Sequence, residues 1–119
     1  MTVDIYNSYS GLCQLLICFH PESEIHYYEY QPDIISIRDF LKYPRNLISV
    51  LQDAKRILAL SNFPYDAISS AINRKFDNYE NDVKPWFLSV LKLLEEEAAR
   101  QGIEIPEDLQ GLWKDENLK

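Results

Sequence analysis

The chain has 119 residues, 46% of them hydrophobic and 26% charged, with a formal net charge of −7. Those proportions fit one globular domain and exclude a disordered polyanion, while the longest apolar run, Leu15 to Phe19, is far shorter than the ~20 residues a membrane helix needs. Met1-Thr2-Val3-Asp4 offers no basic segment ahead of an apolar one, so a cytoplasmic protein without a membrane anchor is expected.

The first third, residues 1–31, reads as a hairpin region. Ile25-His26-Tyr27-Tyr28-Glu29-Tyr30 is aromatic and poor in helix formers, which is a strand composition that needs a pairing partner. Leu15 to His20, across Pro21-Glu22-Ser23-Glu24, is the nearest candidate, and Val3 to Tyr6 offers a third strand across the turn Asn7 to Gly11. The competing reading caps a helix at Ser10 and places Leu12, Leu15, Leu16 and Phe19 on one stripe. The hairpin is preferred, because it pairs the backbone of the tyrosine-rich segment.

From residue 32 to 119 the pattern is helical. Asp33 opens a helix with Ile34, Ile37 and Leu41 on one face, ended by Pro44. A second, to about Leu60, carries Leu47, Leu51, Ala54 and Leu58; Pro64 opens a third, with Tyr65, Ile68, Ile72 and Phe76, that reaches roughly Tyr79. Asn78 to Lys84 reads as a polar connection, and Pro85 starts a fourth helix that Gly102 stops. Trp86 to Leu94 is apolar over more than one stripe, which predicts burial on several sides, whereas Glu95 to Arg100 reads as solvated apart from an alanine face. Pro106-Glu107-Asp108 begins a short fifth helix. The expected fold is therefore a single α+β domain, mainly helical, with an N-terminal β-hairpin or short meander packed on a four- to five-helix bundle.

No constellation of residues demands a particular chemistry. Cys13, Cys18, His20 and His26 are the only soft or imidazole ligands, and a symmetric loop would put the two histidines on opposite sides of the hairpin, so no metal or other cofactor is expected. The cysteines read as reduced, small and apolar. Pro32-Asp33 with Asp53-Ala54-Lys55 imitates a nuclease pattern, but Asp53 and Lys55 point ~160° apart on a helix. Leu12-Cys13-Gln14-Leu15-Leu16 weakly matches a leucine docking pattern, and core packing is the preferred explanation of the same leucines.

Charge is more informative. Arg38, Lys42, Arg45, Lys55 and Arg56 face only Asp39 and Asp53 in their stretch, which suggests a basic strip, while twelve acids oppose seven bases from Ser61 onward. The leading expectation is a non-enzymatic interaction module: an accessory subunit, adaptor or small acidic inhibitor that binds another protein. Leu109, Leu112 and Trp113, an i, i+3, i+4 set interrupted by Gly111, are its candidate partner-binding residues. One alternative is a nucleoprotein subunit touching RNA or DNA through the basic strip, and only within a larger assembly, since a chain this acidic is repelled from nucleic acid. Another is a small hydrolase using His20 or His26.

Overall fold

The computed structural model describes residues 5–19, 33–42, 46–72 and 79–114. Every regular element in them is helical. In chain order these are α1 (Ile5–Ser8), α2 (Ser10–Leu16) with the 3-10 turn Ile17–Phe19, α3 (Asp33–Phe40), α4 (Leu47–Leu58), α5 (Tyr65–Ala71) and α6 (Tyr79–Arg100). Two further 3-10 turns, Glu107–Leu109 and Leu112–Lys114, follow.

The β-hairpin expectation is overturned at its described strands. Residues 15–19 are helical, and of Val3 to Tyr6, expected to offer a third strand, the described Ile5 and Tyr6 belong to α1; residues 20–32, including the tyrosine-rich run and both histidines, lie outside the described residues. The physical reason is burial. Leu12, Leu15, Leu16 and Phe19 follow one another at i, i+3, i+4 and i+7, and all four are 1% exposed or less. In a strand, Leu15 and Leu16 would face opposite sides and only half of this set could reach the core. The helix also satisfies its own backbone, which removes the need for a pairing partner. Helix α2 begins at Ser10 itself, after Tyr9, and no side chain of the preceding residue caps it.

α6 is the central element and packs against α3, α5 and the last 3-10 turn. Its inward face runs Val83, Phe87, Val90, Leu91, Leu94, Ala98, each fully or nearly fully buried. Wide burial of Trp86 to Leu94 is as expected, but two expectations for this helix fail. It starts at Tyr79, so the stretch read as a polar connection is mostly helical and Pro85 lies inside the helix. Pro85 stands in the second turn, where it gives up its own bond to the carbonyl four residues back and its ring crowds that carbonyl; the added N-terminal turn carries Val83, completely buried, one turn ahead of Phe87. The third helix, in turn, is shorter than expected, with α5 ending at Ala71; residues 73–78 lie outside the described residues.

The second failed expectation concerns Glu97, read as solvated and found only 6% exposed. By contrast Gly102 stops α6 as expected. It takes a left-handed φ of 74°, and the Gly102 and Ile103 amides donate to the Ala99 and Ala98 carbonyls at 3.2 and 2.9 Å.

α2 and α4 are in closest contact at Gly11. A Cβ added there would sit 2.7 Å from Ser49 Cβ and 2.9 Å from the Ser49 carbonyl carbon. Glycine is required at this crossing for close approach, with no demand on its φ. The Asp53 carboxylate, one turn further along α4, accepts the Leu12 N–H at 2.9 Å and so satisfies one open donor at the start of α2.

Candidate functional site

The basic residues of the strip are distributed among separate ion pairs. Arg38 on α3 donates through Nε to Glu97 Oε1 on α6 at 3.2 Å. Arg100 and Gln101 approach the same carboxylate at 3.5 and 3.4 Å, so the buried charge is surrounded by three donors. Lys42 pairs with Asp39 at 3.2 Å. Lys55 donates to the Asp108 carbonyl at 3.2 Å, which ties α4 to the turn near the end of the described chain. Arg56 donates to Asp53 at 3.2 Å and to the Ser8 carbonyl at 3.2 Å, with its guanidinium 4.7 Å above the Tyr9 ring. Arg45 lies outside the described residues. Of the five strip residues, the four described each meet a carboxylate of this chain, and three of them, Arg38, Lys55 and Arg56, tie together elements distant in sequence.

Leu109, Leu112 and Trp113 dock on their own chain. Leu109 is buried at 3% exposure and belongs to the core. Its turn packs on α4 and the following one on α6. Leu112 and Trp113 are half-buried against the same core. The Trp113 ring lies 5.2 Å from the ammonium groups of both Lys92 and Lys114. The expected single short helix is instead two 3-10 turns, because Gly111 between them adopts a φ of 69° that breaks any continuous helix. Glu95 Oε2 accepts the Gly111 N–H at 2.8 Å and fixes that break.

This arrangement leaves a cleft of about 560 Å³ beside the end of α6. Its apolar wall comes from Ile48 on α4, Ala99 on α6, and Ile103, Ile105 and Pro106 in the irregular segment between α6 and the first turn. Glu95 and Gln110 line it too but are already engaged, the first with Gly111 and the second by donating to the Ile105 carbonyl at 2.8 Å. Glu104 lines it as well, exposed and with no salt bridge or hydrogen bond from a described residue. A second concavity of about 320 Å³ opens where α2 meets α4, lined by neutral polar side chains and by Asp53, whose oxygens are occupied by Leu12 and Arg56.

The candidate catalytic and metal-ligating histidines, His20 and His26, lie outside the described residues. Among the described residues no group of three or more His, Cys, Asp or Glu side chains converges on a metal site. Asp53 and Lys55, the fragment of a nuclease pattern, hold Leu12 and Asp108 respectively. Leu12, Leu15 and Leu16, the docking-like leucines, are core residues. Cys13 is buried and Cys18 half-buried; burial raises both thiols above their ordinary range, and Cys18 is pushed up to about 11, with the nearby Asp39 carboxylate adding to the effect. Such thiols are poor nucleophiles at neutral pH.

The sequence alone does not disclose the burial of Glu97, the bond from Leu12 to Asp53 or the cleft. A signal for Glu97 was present: the spacing Val83, Phe87, Val90, Leu94 continues directly onto position 97. No described helix is long and apolar enough to cross a membrane. No protein-family model matches the chain, and no curated protein or solved structure matches it either.

Proposed function

We propose that the chain is a non-enzymatic interaction module, an accessory subunit, adaptor or small acidic inhibitor, whose partner is a protein with a basic surface. The observation that carries this reading is the division of charge. The cations of α3 and α4 are consumed by the chain's own carboxylates, while Glu96, Glu104 and Glu107 are exposed and unpaired among the described residues. These three carboxylates offer unpaired negative charge near the end of α6, where Arg100 already shares Glu97 with Arg38, and complementary charge on a partner speeds encounter and suppresses wrong pairings. Contact with phosphate through the same cations would first have to break internal pairs. Freeing Arg38 would strip the buried Glu97 of its closest donor, a cost that nucleic-acid binding would have to offset.

The experiment is retention of cell proteins on the immobilised full chain, with and without nuclease, followed by a salt gradient. Basic proteins that stay bound after nuclease treatment and leave as salt rises are the expected result. Retention of acidic proteins, or loss of all retained material on nuclease treatment, would overturn the reading.

A further inference from the structure

We infer that the cleft beside the end of α6 is the seat of an extended peptide segment of the partner, one that carries aliphatic side chains next to lysine or arginine. This inference rests on the reading of the chain as a module for basic proteins and specifies where and how such a protein docks. Three observations converge on it.

The first is the wall. Ile48, Ile103 and Ile105 present half-buried aliphatic surface, and with Ala99 and Pro106 they make a trough able to take branched or linear apolar side chains. The second is the charge. Glu104 lies on the rim and holds no ion pair, with Glu107 following just beyond Pro106, so an incoming ammonium or guanidinium would find a carboxylate with no internal partner. A negative rim also argues against acidic occupants, including a second copy of this acidic chain.

The third is the backbone. Ile103 to Ile105 belong to no helix, and while the Ile103 N–H is used to close α6, no described residue accepts from the Glu104 or Ile105 N–H. Free peptide groups beside apolar pockets suit the addition of an extended chain, in which main-chain hydrogen bonds give affinity and alternate side chains give specificity. A helical occupant would satisfy its own backbone and leave these groups unused.

The test uses the full chain and three capped synthetic peptides: alternating Lys-Leu, alternating Lys-Ser and alternating Glu-Leu. Amide chemical shifts are followed by NMR at low salt. The Lys-Leu peptide is expected to bind and to move the resonances of Ile48 and of Ile103 to Ile105, with the Lys-Ser peptide about tenfold weaker and the Glu-Leu peptide silent. Glu104→Gln, at an exposed position, should keep the fold and lower Lys-Leu affinity about fivefold. Equal binding of the Lys-Leu and Lys-Ser peptides, shifts confined to other surfaces, or an unchanged affinity in Glu104→Gln would overturn the assignment. So would concentration-dependent shifts of the same amides without peptide, which would mark the cleft as a contact between copies. If basic partners are retained by the immobilised chain while this cleft stays silent, the docking site is wrong and the proposed function survives; if no basic partner is retained, that reading itself fails.

Discussion

Asp53 accepts the backbone N–H of Leu12 at 2.9 Å across 41 residues of sequence. One carboxylate thereby starts α2, anchors it to α4 and holds Arg56, which reaches on to Ser8. Asp53→Ala should remove the cap and leave a partly buried donor unsatisfied, at about 1–2 kcal/mol. Asp53→Asn keeps an oxygen for Leu12 and loses only the partly exposed ion pair, worth at most about 1 kcal/mol. Urea unfolding that ranks the asparagine variant with the alanine variant would contradict the capping role.

Gly11 provides a contest between two effects of opposite sign. In an ordinary helix Gly→Ala stabilises by about 1 kcal/mol. Here the new methyl would meet Ser49 Cβ at 2.7 Å and the Ser49 backbone at 2.9 Å. Overpacking of this kind costs about 1–3 kcal/mol, so Gly11→Ala is expected to lower stability despite its propensity gain. Ser49→Gly in the same chain should recover part of the loss but not all of it, because the backbone contact remains. A stabilised Gly11→Ala protein would contradict a tight crossing of α2 and α4 at Ser49.

What was legible in the sequence was local. Gly102 terminates α6 as expected, because a left-handed stop is written in one residue and its neighbours. The stripe Leu12, Leu15, Leu16, Phe19 is equally visible, but the tyrosine-rich run downstream competes with it, because a strand there would need residues 15–20 as its partner. Long-range pairing was not legible. Arg38, Lys55 and Arg56 look like a basic strip when counted along the chain, and only the fold reveals that Glu97 lies against Arg38 and Asp108 against Lys55. The cleft was hidden for the same reason, since Ile48 and Ile105 line one cleft only after α4 and the turn Glu107–Leu109 have packed.

Glu97 and Arg38 should respond unequally to substitution. The Glu97 side chain is 8% exposed, whereas Arg38 and Arg100 are 48% and 69% exposed and can turn to water. Arg38→Met leaves a buried carboxylate short of its nearest donor, at a cost of about 1–2 kcal/mol once the exposure of Arg38 is allowed for. Glu97→Leu removes the buried charge itself and should cost less, and in the double variant it should cancel much of the Arg38→Met penalty. Thermal unfolding of the three variants checks the order; a Glu97→Leu protein weaker than Arg38→Met would reverse it.

The Cys18 thiol supplies an alkaline dependence. Burial and then Asp39 raise it from 9.0 to about 11, so the folded state holds the proton more tightly than the unfolded chain. That contribution to stability is fully present below about pH 9 and is lost as pH rises through about 11. Comparison of wild type with Cys18→Ala should therefore show a smaller alkaline loss of stability in the variant across that window. Alkylation of Cys18 in the folded chain should likewise stay slow at neutral pH and accelerate only toward its raised pKa. A midpoint at the ordinary thiol value would show that the side chain is more open than its surroundings imply.

Trp113 decides whether the end of the described chain belongs to the fold or to a partner. Its ring is half-buried against the core and flanked by Lys92 and Lys114, and the preceding Leu109 is 3% exposed. Trp113→Ala should therefore lower the melting temperature, with a loss of about 1–2 kcal/mol: less than a fully buried tryptophan would lose, and including a cation–π share below about 1 kcal/mol. Lys92→Ala should cost a fraction of that. Because Gly111, just ahead of this turn, holds Glu95, and Glu95 lines the proposed peptide cleft, Trp113→Ala should also weaken Lys-Leu peptide binding indirectly. Unchanged melting together with lost partner binding would instead make Trp113 a direct anchor for the partner, and unchanged values of both would leave the packing of this turn without energetic consequence.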